Sequence, residues 1–360
     1  MIREDTRVWA YCLLLLSTFL VVIVAQPFGA FGAPEKQLVV ATWGGAWTKA
    51  EQKAFHEPFE KETGVKVIDV TSVGDRWSKL RTQVQSGNVE WDIISNSGLA
   101  EMYRNKDLLE KVDYSIVTNT ANVAKESVGE YFVGGVFESL NIAYNRKKFP
   151  EGSHPKTWAE FWDVKKFPGA RSLPNYGMIG RFGNILSALI ADGVPPDKLL
   201  PIDYDRAFKK LDQIKPYINV WWTSGSQFQQ ILRDEEVVLA AGWDGRIMGL
   251  VKQGFPINIE WNQGHAYITS WAVVKGTKNK ELAMRFLNSV LDPERQAVMS
   301  KEMGGCAPTN VKAFGYLDPA EGIKLGSHPT NLSKMFKMNM EFLAEHQKEI
   351  QERWEKWIGK

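Results

Sequence analysis

Between Gln37 and Ser95 the chain alternates short β-branched runs with longer helical stretches, and this rhythm restricts the fold more than any other feature. "QLVVATW" (Gln37 to Trp43) reads as a strand, and it ends in the glycines of "GGAW". "KAEQKAFHEPFEKETG" follows as a helix that closes on Gly64, a residue free to take the left-handed cap conformation. Then come the strand "VKVIDVT", a helix through "RWSKLRTQVQSG" and the strand "WDIIS". Strands joined through helices pair in parallel, so a mostly parallel sheet with helices on both faces is expected.

"YNRKKFP" (Tyr144 to Pro150) breaks the pattern, and a second alternating region begins at "TWAEFWD". It holds the helices "FGNILSALIADG", "YDRAFKKLDQIK" and "FQQILRDEE", with strands in "INVWWT" and "VVLAAGW". After "SWAVVKG" comes a helix in "NKELAMRFLNSVLD", and the tail from Asn331 to Lys360 reads as helical and charged. A chain of 360 residues exceeds what one core usually fills. Two α/β lobes joined by short crossings, with a hinged cleft, are therefore expected. Residues 33–143 plus 272–320 form the first lobe, 144–271 the second, and 321–360 a helical segment packed on them. Ligands in open α/β sheets bind beyond the carboxyl ends of strands, where "TWGGAW", "SNSG" and "GWDGR" fall.

The first 32 residues read as a cleaved signal peptide: Arg3 and Arg7, an apolar run from Trp9 to Ala25, then "AFGA". The run is shorter than the roughly 20 residues that a spanning helix needs. Cleavage after Gly32 removes Arg3, Arg7, Glu4 and Asp5, leaving the charge unchanged, and also Cys12, leaving Cys306 alone. Export without a disulfide framework points to a Gram-negative periplasm.

A formal net charge of +2 argues against nucleic-acid or membrane-surface binding, which needs a concentrated basic face. The five histidines (His56, His154, His265, His328, His346) lack metal-ligand spacing. There is no GxSxG elbow or phosphate-loop lysine, and Gly177, Gly180 and Gly183 do not fit GxGxxG. Cys306 lies in "GGCAPTN", which reads as a turn. The sequence thus gives no catalytic centre, no metal site and no cofactor. Fourteen tryptophans are unusual; core packing explains some, and aromatic side chains also line small-molecule clefts.

"FEKETGVKV", "WDIISNSG", "TWAEFWD" and "AAGWDG", in this order, resemble the extracytoplasmic solute-binding proteins of ABC importers, in particular the spermidine/putrescine-type group. The likeness runs from about Gln37 to Gln296. It implies two α/β lobes, a ligand between them, and delivery to a membrane permease by a monomeric receptor. Polyamine binders of that group use carboxylates for the ammonium ends and aromatic faces for the methylene chain. By position Trp43 and Trp243 match the aromatic walls, and Tyr267 replaces another aromatic. The acids do not match: Gly180, Arg181 and Gly183 stand at one acidic place, Thr269 at a second and Arg246 at a third, with Asp244 two residues earlier.

Fewer acids and added arginines point to a carboxylate-bearing ligand, because a dication between Arg181 and Arg246 would meet repulsion. Arg181, in the glycine-rich "NYGMIGRFG" with Tyr176, is the expected carboxylate grip, with Arg246 beside it. Ser224 and Ser226 in "TSGSQ" open a helix, and Ser95 and Ser97 in "SNSG" offer hydroxyls from the first lobe. Gly44 and Trp47 flank the Trp43 turn; Asp244 is the expected ammonium partner, with Glu138 behind it. Only one of the adjacent Trp221 and Trp222 can face inward on a strand. The ligand expected is a short amino acid such as 4-aminobutyrate or a small carboxylate. A polyamine is the alternative, and a periplasmic enzyme or a chemosensory receptor stands further off.

Overall fold

A computed structural model of the protein describes residues 36–360; the leader read from the sequence lies outside the described residues. The backbone is built on one mixed sheet. Its strands are β1 (Gln37–Thr42), β2 (Lys66–Thr71), β3 (Ile93–Gly98), β4 (Val133–Asn145), β5 (Arg171–Pro174), β6 (Ile218–Trp222), β7 (Leu239–Trp243) and β8 (Ile257–Val273). Two short pieces, β9 (Ala307–Pro308) and β10 (Phe336–Lys337), pair with β4 and β8. The order is β2-β1-β3-β8-β4-β7-β5-β6.

The expected parallel pairing holds at both ends of the sheet, in β2-β1-β3 and in β7-β5-β6. Its middle is antiparallel. There β4 and β8 run side by side over most of their lengths, from Val133↔Trp271 to Asn145↔Ile257. One end of β8 also pairs with β3, and one end of β4 with β7. These two strands thus tie the two parallel groups together, giving the two-lobed α/β architecture. Their register shifts between Gly134 and Phe137 and again between Leu140 and Ile142, the kind of irregularity that bends a strand. Tyr144 and Asn145, read from the sequence as the start of a break, are the last residues of β4.

Side-chain chemistry explains the elements locally. The helical stretch after β1 runs from Gly45 to Thr63 with one π turn at Gln52–His56, and it ends on Gly64 at φ 69°, as a glycine cap should. Phe55 and Phe59 from this stretch pack with Leu38 and Val40 of β1, Trp271 of β8 and Phe286. The helix Gly177–Ala191 is buried almost throughout from Phe182 onward. The helix Gly225–Arg233 starts on Ser224, whose hydroxyl accepts from the Gln227 N–H at 3.1 Å. The tail forms the helix Met340–Ile358, which packs on both the helix Leu99–Arg104 and the helix Gly177–Ala191.

Candidate functional site

The carboxyl end of β1 carries the first wall. After Thr42 the chain turns at Gly44, where φ is 81° and an added Cβ would stand 2.8 Å from Thr71 Cγ2. Only glycine meets both conditions, and the turn leaves Trp43 half-buried at the strand end. The Trp43 indole N–H donates to the Asn96 carbonyl at 3.0 Å. One face of its ring is covered by the guanidinium of Arg76, 4.0 Å from the ring centroid.

Arg76 is only 2% exposed. Its Nε donates to the Ser72 carbonyl at 3.1 Å, and its Nη1 to the Ser95 carbonyl at 2.8 Å and to Ser97 Oγ at 3.1 Å. Burial lowers its pKa to about 10, against the pull of Glu51 and Glu101. Asn96, held at φ 39°, donates from Nδ2 to Glu51 Oε1 at 2.7 Å and accepts from Thr269 Oγ1 at 3.1 Å. Trp47 donates to the same Glu51 oxygen at 2.8 Å. Burial nonetheless pushes the Glu51 carboxyl up. Trp43, Trp47, Ser95, Ser97 and Thr269 thus belong to one hydrogen-bonded neighbourhood, with Gly44 next to Trp43 in the chain.

The second wall stands where β6 and β7 end. Alternation on β6 answers which tryptophan faces inward: Trp222 is fully buried, donates to the Ala241 carbonyl at 3.0 Å and meets Trp243 edge to face at 4.8 Å. Trp221 packs instead on Trp354 and Trp357 of the last helix. Tyr176 caps Trp243 edge to face at 5.7 Å and is 48% exposed. Beside them the Arg246 guanidinium lies flat on Gly225, where a Cβ would sit 2.2 Å from Cζ, and Nη1 reaches Gln229 Oε1 at 3.2 Å. Ser224 and Ser226 bond to each other at 3.0 Å at this helix start. Arg246, Ser224 and Ser226 thus lie together: an exposed guanidinium, two hydroxyls and a helix N-terminus.

Between the walls lie the acids. Glu138 of β4 sits opposite Tyr267 of β8 in the ladder. It is half-buried, its carboxyl pushed up by burial against the pull of the Tyr267 hydroxyl and Arg246. Asp244 is 3% exposed and accepts from the Ser139 N–H at 3.1 Å. Burial pushes it up to about 7, opposed by that hydrogen bond and assisted by the charge of Glu138. The Tyr267 phenol is likewise driven well up by burial and by these two carboxylates. Cys306, also buried, has its thiol raised by burial and by the same acids. Gly305 beside it comes within van der Waals reach of Gly245: a Cβ there would stand 3.0 Å from Gly245 Cα.

Arg181 does not join Arg246. The helix Gly177–Ala191 turns it toward the last helix, where its Nη1 lies 3.7 Å from Glu355. The sequence shows the glycines around Arg181 and a helical tail packed on the lobes, but not that this tail lies against Arg181. Two features carry more than the sequence suggested. Arg76 was unmarked, its only signal being its place just after β2 in "TSVGDRW". Glu138, which the sequence places behind Asp244, is the more exposed of the two carboxylates, while Asp244 is buried and held by the Ser139 N–H. Among the described residues no group of three or more His, Cys, Asp or Glu side chains could hold a metal ion. A groove of about 550 Å³ lined by Phe59, Glu62, Ile116, Arg285 and Arg295 shares no residue with either wall; strand-end placement and converging chemistry favour the walls as the site.

Residues 54–319 match the family described as bacterial extracellular solute-binding protein. The chain is 32% identical over 336 residues to a gamma-aminobutyric acid (4-aminobutyrate)-binding protein of Pseudomonas aeruginosa, covering 91% of this chain and 92% of that one. It is 24% identical over 287 residues to the spermidine/putrescine-binding periplasmic protein of Escherichia coli, covering 76% and 78%. Among solved structures, an ABC transporter substrate-binding protein from Bradyrhizobium japonicum superposes with a TM-score of 0.81 at 36% identity, over 90% of this chain and 99% of that one.

Proposed function

The chain belongs to the bacterial extracellular solute-binding protein family, and from that premise we propose that it is a periplasmic receptor that captures 4-aminobutyrate or a similar short amino acid and hands it to the permease of an ABC importer. The division into lobes expected from the sequence goes with this reading, as does a binding role in place of catalysis.

The observation that carries the ligand class is the pairing of opposite charges at one place. Arg246, with Ser224 and Ser226, stands within electrostatic reach of Glu138, which has Asp244 and Tyr267 beside it. A short zwitterion satisfies both ends. Its carboxylate takes the guanidinium and hydroxyls, while its ammonium takes the Glu138 carboxylate, with Asp244 reinforcing the negative field. Trp43 and Trp243 cover the methylene chain, which gains from apolar contact. A diamine would leave Arg246 facing an ammonium.

Calorimetric titration with 4-aminobutyrate, 1,4-diaminobutane and glutarate tests this. The zwitterion is expected to bind tightest, and Glu138→Gln and Arg246→Ala are each expected to weaken it by about tenfold to a hundredfold. Tighter binding of the diamine, with Arg246→Ala silent, would remove the proposal.

A further inference from the structure

We propose that Arg76, packed behind Trp43, sets the ligand charge that the cleft accepts, admitting an amine that carries its own carboxylate and penalising one with two ammonium ends. The inference rests on the reading of Trp43 as a wall of the ligand site.

Arg76 is placed so that its charge cannot be dissipated. It is 2% exposed, so bulk water screens it little. Three acceptors on Ser72, Ser95 and Ser97 fix its plane, and all three are neutral. No carboxylate among the described residues forms an ion pair with it. The acids that attract it are Glu51 and Glu101. Neither lies within ion-pair distance of the guanidinium: Glu51 is turned to Asn96 and Trp47, and Glu101 to the Trp77 indole at 2.8 Å. The guanidinium is therefore the charge placed directly against the back of the ring.

The ring passes that charge forward. An aromatic face attracts a cation through its negative π density. Here one face of Trp43 is already occupied by the guanidinium at 4.0 Å. An ammonium stacked on the opposite face would lie about 8 Å from it, two stacking distances across a ring that excludes water. A zwitterion recovers through its carboxylate what its ammonium loses, and a diamine does not. The expected discrimination is about tenfold. It comes from the first wall and adds to whatever Arg246 contributes from the second.

Wild type, Arg76→Gln and Arg76→Lys are titrated with 4-aminobutyrate and with 1,4-diaminobutane. The readout is the ratio of the two affinities, because mere loosening of the wall weakens both ligands together. Arg76→Gln is expected to shift the ratio about tenfold toward the diamine, whereas Arg76→Lys, which keeps the charge, stays within about threefold of wild type. A cooperatively folding Gln variant with the wild-type ratio overturns the proposal. So does a Lys variant whose ratio moves toward the diamine by tenfold, a result that decides the matter even if the Gln variant fails to fold. Wild type that binds neither probe removes the 4-aminobutyrate reading and this role with it; binding with an unmoved ratio removes the Arg76 role alone.

Discussion

Trp43 leaves β1 and Trp243 leaves β7, with three strands of the sheet between them, and the two rings are supported in different ways. Trp43 is held from its own N–H by the Asn96 carbonyl and from behind by Arg76, itself fixed by three acceptors. Trp243 rests on an apolar floor, Trp222, and its polar neighbours Ser224, Ser226, Gln229 and Arg246 bond chiefly to one another at the surface. Order in the first wall is established before any ligand arrives, so binding there loses little side-chain entropy. The second wall carries surface polar groups over a buried base. On the proposed reading, charge preference comes from the fixed groups of the first wall and fit to one ligand from the surface groups of the second.

The largest effect expected from breaking this contrast is at the floor. Trp222 is fully buried, packs on Trp243 and Phe228, and satisfies its N–H on the Ala241 carbonyl. Trp222→Ala is expected to cost about 3–5 kcal/mol of stability in chemical denaturation. The same change at half-buried Trp221, which packs on Trp354 and Trp357, should cost clearly less. Equal losses would mean that the second wall has no privileged base.

Asp244 gives the next largest. Its native pKa of about 7 lies above the ordinary 3.8, so between these values the folded chain holds a proton that the unfolded chain has released. That term is fully present below about pH 4, is lost as pH rises toward 7, and is flat beyond, a change of a few kcal/mol. Asp244→Asn keeps an oxygen for the Ser139 N–H and is expected to flatten this slope in denaturation curves taken from pH 4 to 8. An undiminished slope in the variant would assign the term elsewhere, to Glu138 first, since its carboxyl is raised too.

Much of this architecture is legible in the sequence, for reasons that are local. The first parallel group and strands β6 and β7 follow from β-branched or apolar runs, the Gly64 and Ser224 caps from residue type, and the two wall tryptophans from their places at strand ends next to glycine. By contrast β5, the "RSLP" strand that joins β6 to β7, carries no such run. The two long strands are not legible. In β4, Gly134, Gly135, Glu138 and Asn141 interrupt the apolar pattern, and in β8 Asn262, Gln263, Gly264 and His265 do the same. Pairing with each other keeps these segments extended, and such pairing is non-local. Arg76 escaped for a similar reason: its burial depends on Trp43, Ser95 and Ser97, all distant in sequence. The place of Arg181 was not legible for the same reason: it sits on a helix beside Glu355 of the chain's own tail, a contact between residues far apart in sequence.

Where Gly305 touches the helix that starts beside the second wall, the expected effect is smallest but bears most directly on how the acids and Arg246 are placed. Gly305 precedes β9, which pairs with β4, and Gly245 is the second residue of the helix Asp244–Lys252, flanked by Asp244 and Arg246. A Cβ on Gly305 would stand 3.0 Å from Gly245 Cα and 3.4 Å from its carbonyl oxygen. Gly305 is not among the residues at positive φ, so its backbone accepts a side chain and the obstacle is Gly245 alone. The three heavy atoms of a valine side chain cannot fit without pushing the helix start away, and Asp244 and Arg246 move with it. Gly305→Val is therefore expected to lower 4-aminobutyrate affinity by about tenfold, and Gly305→Ala by less, because each holds the ammonium and carboxylate partners apart from Trp43. Unfolding should shift by only a few degrees, since no core contact is lost. If the Val variant binds as wild type does, the backbone contact plays no part in placing the acids and Arg246.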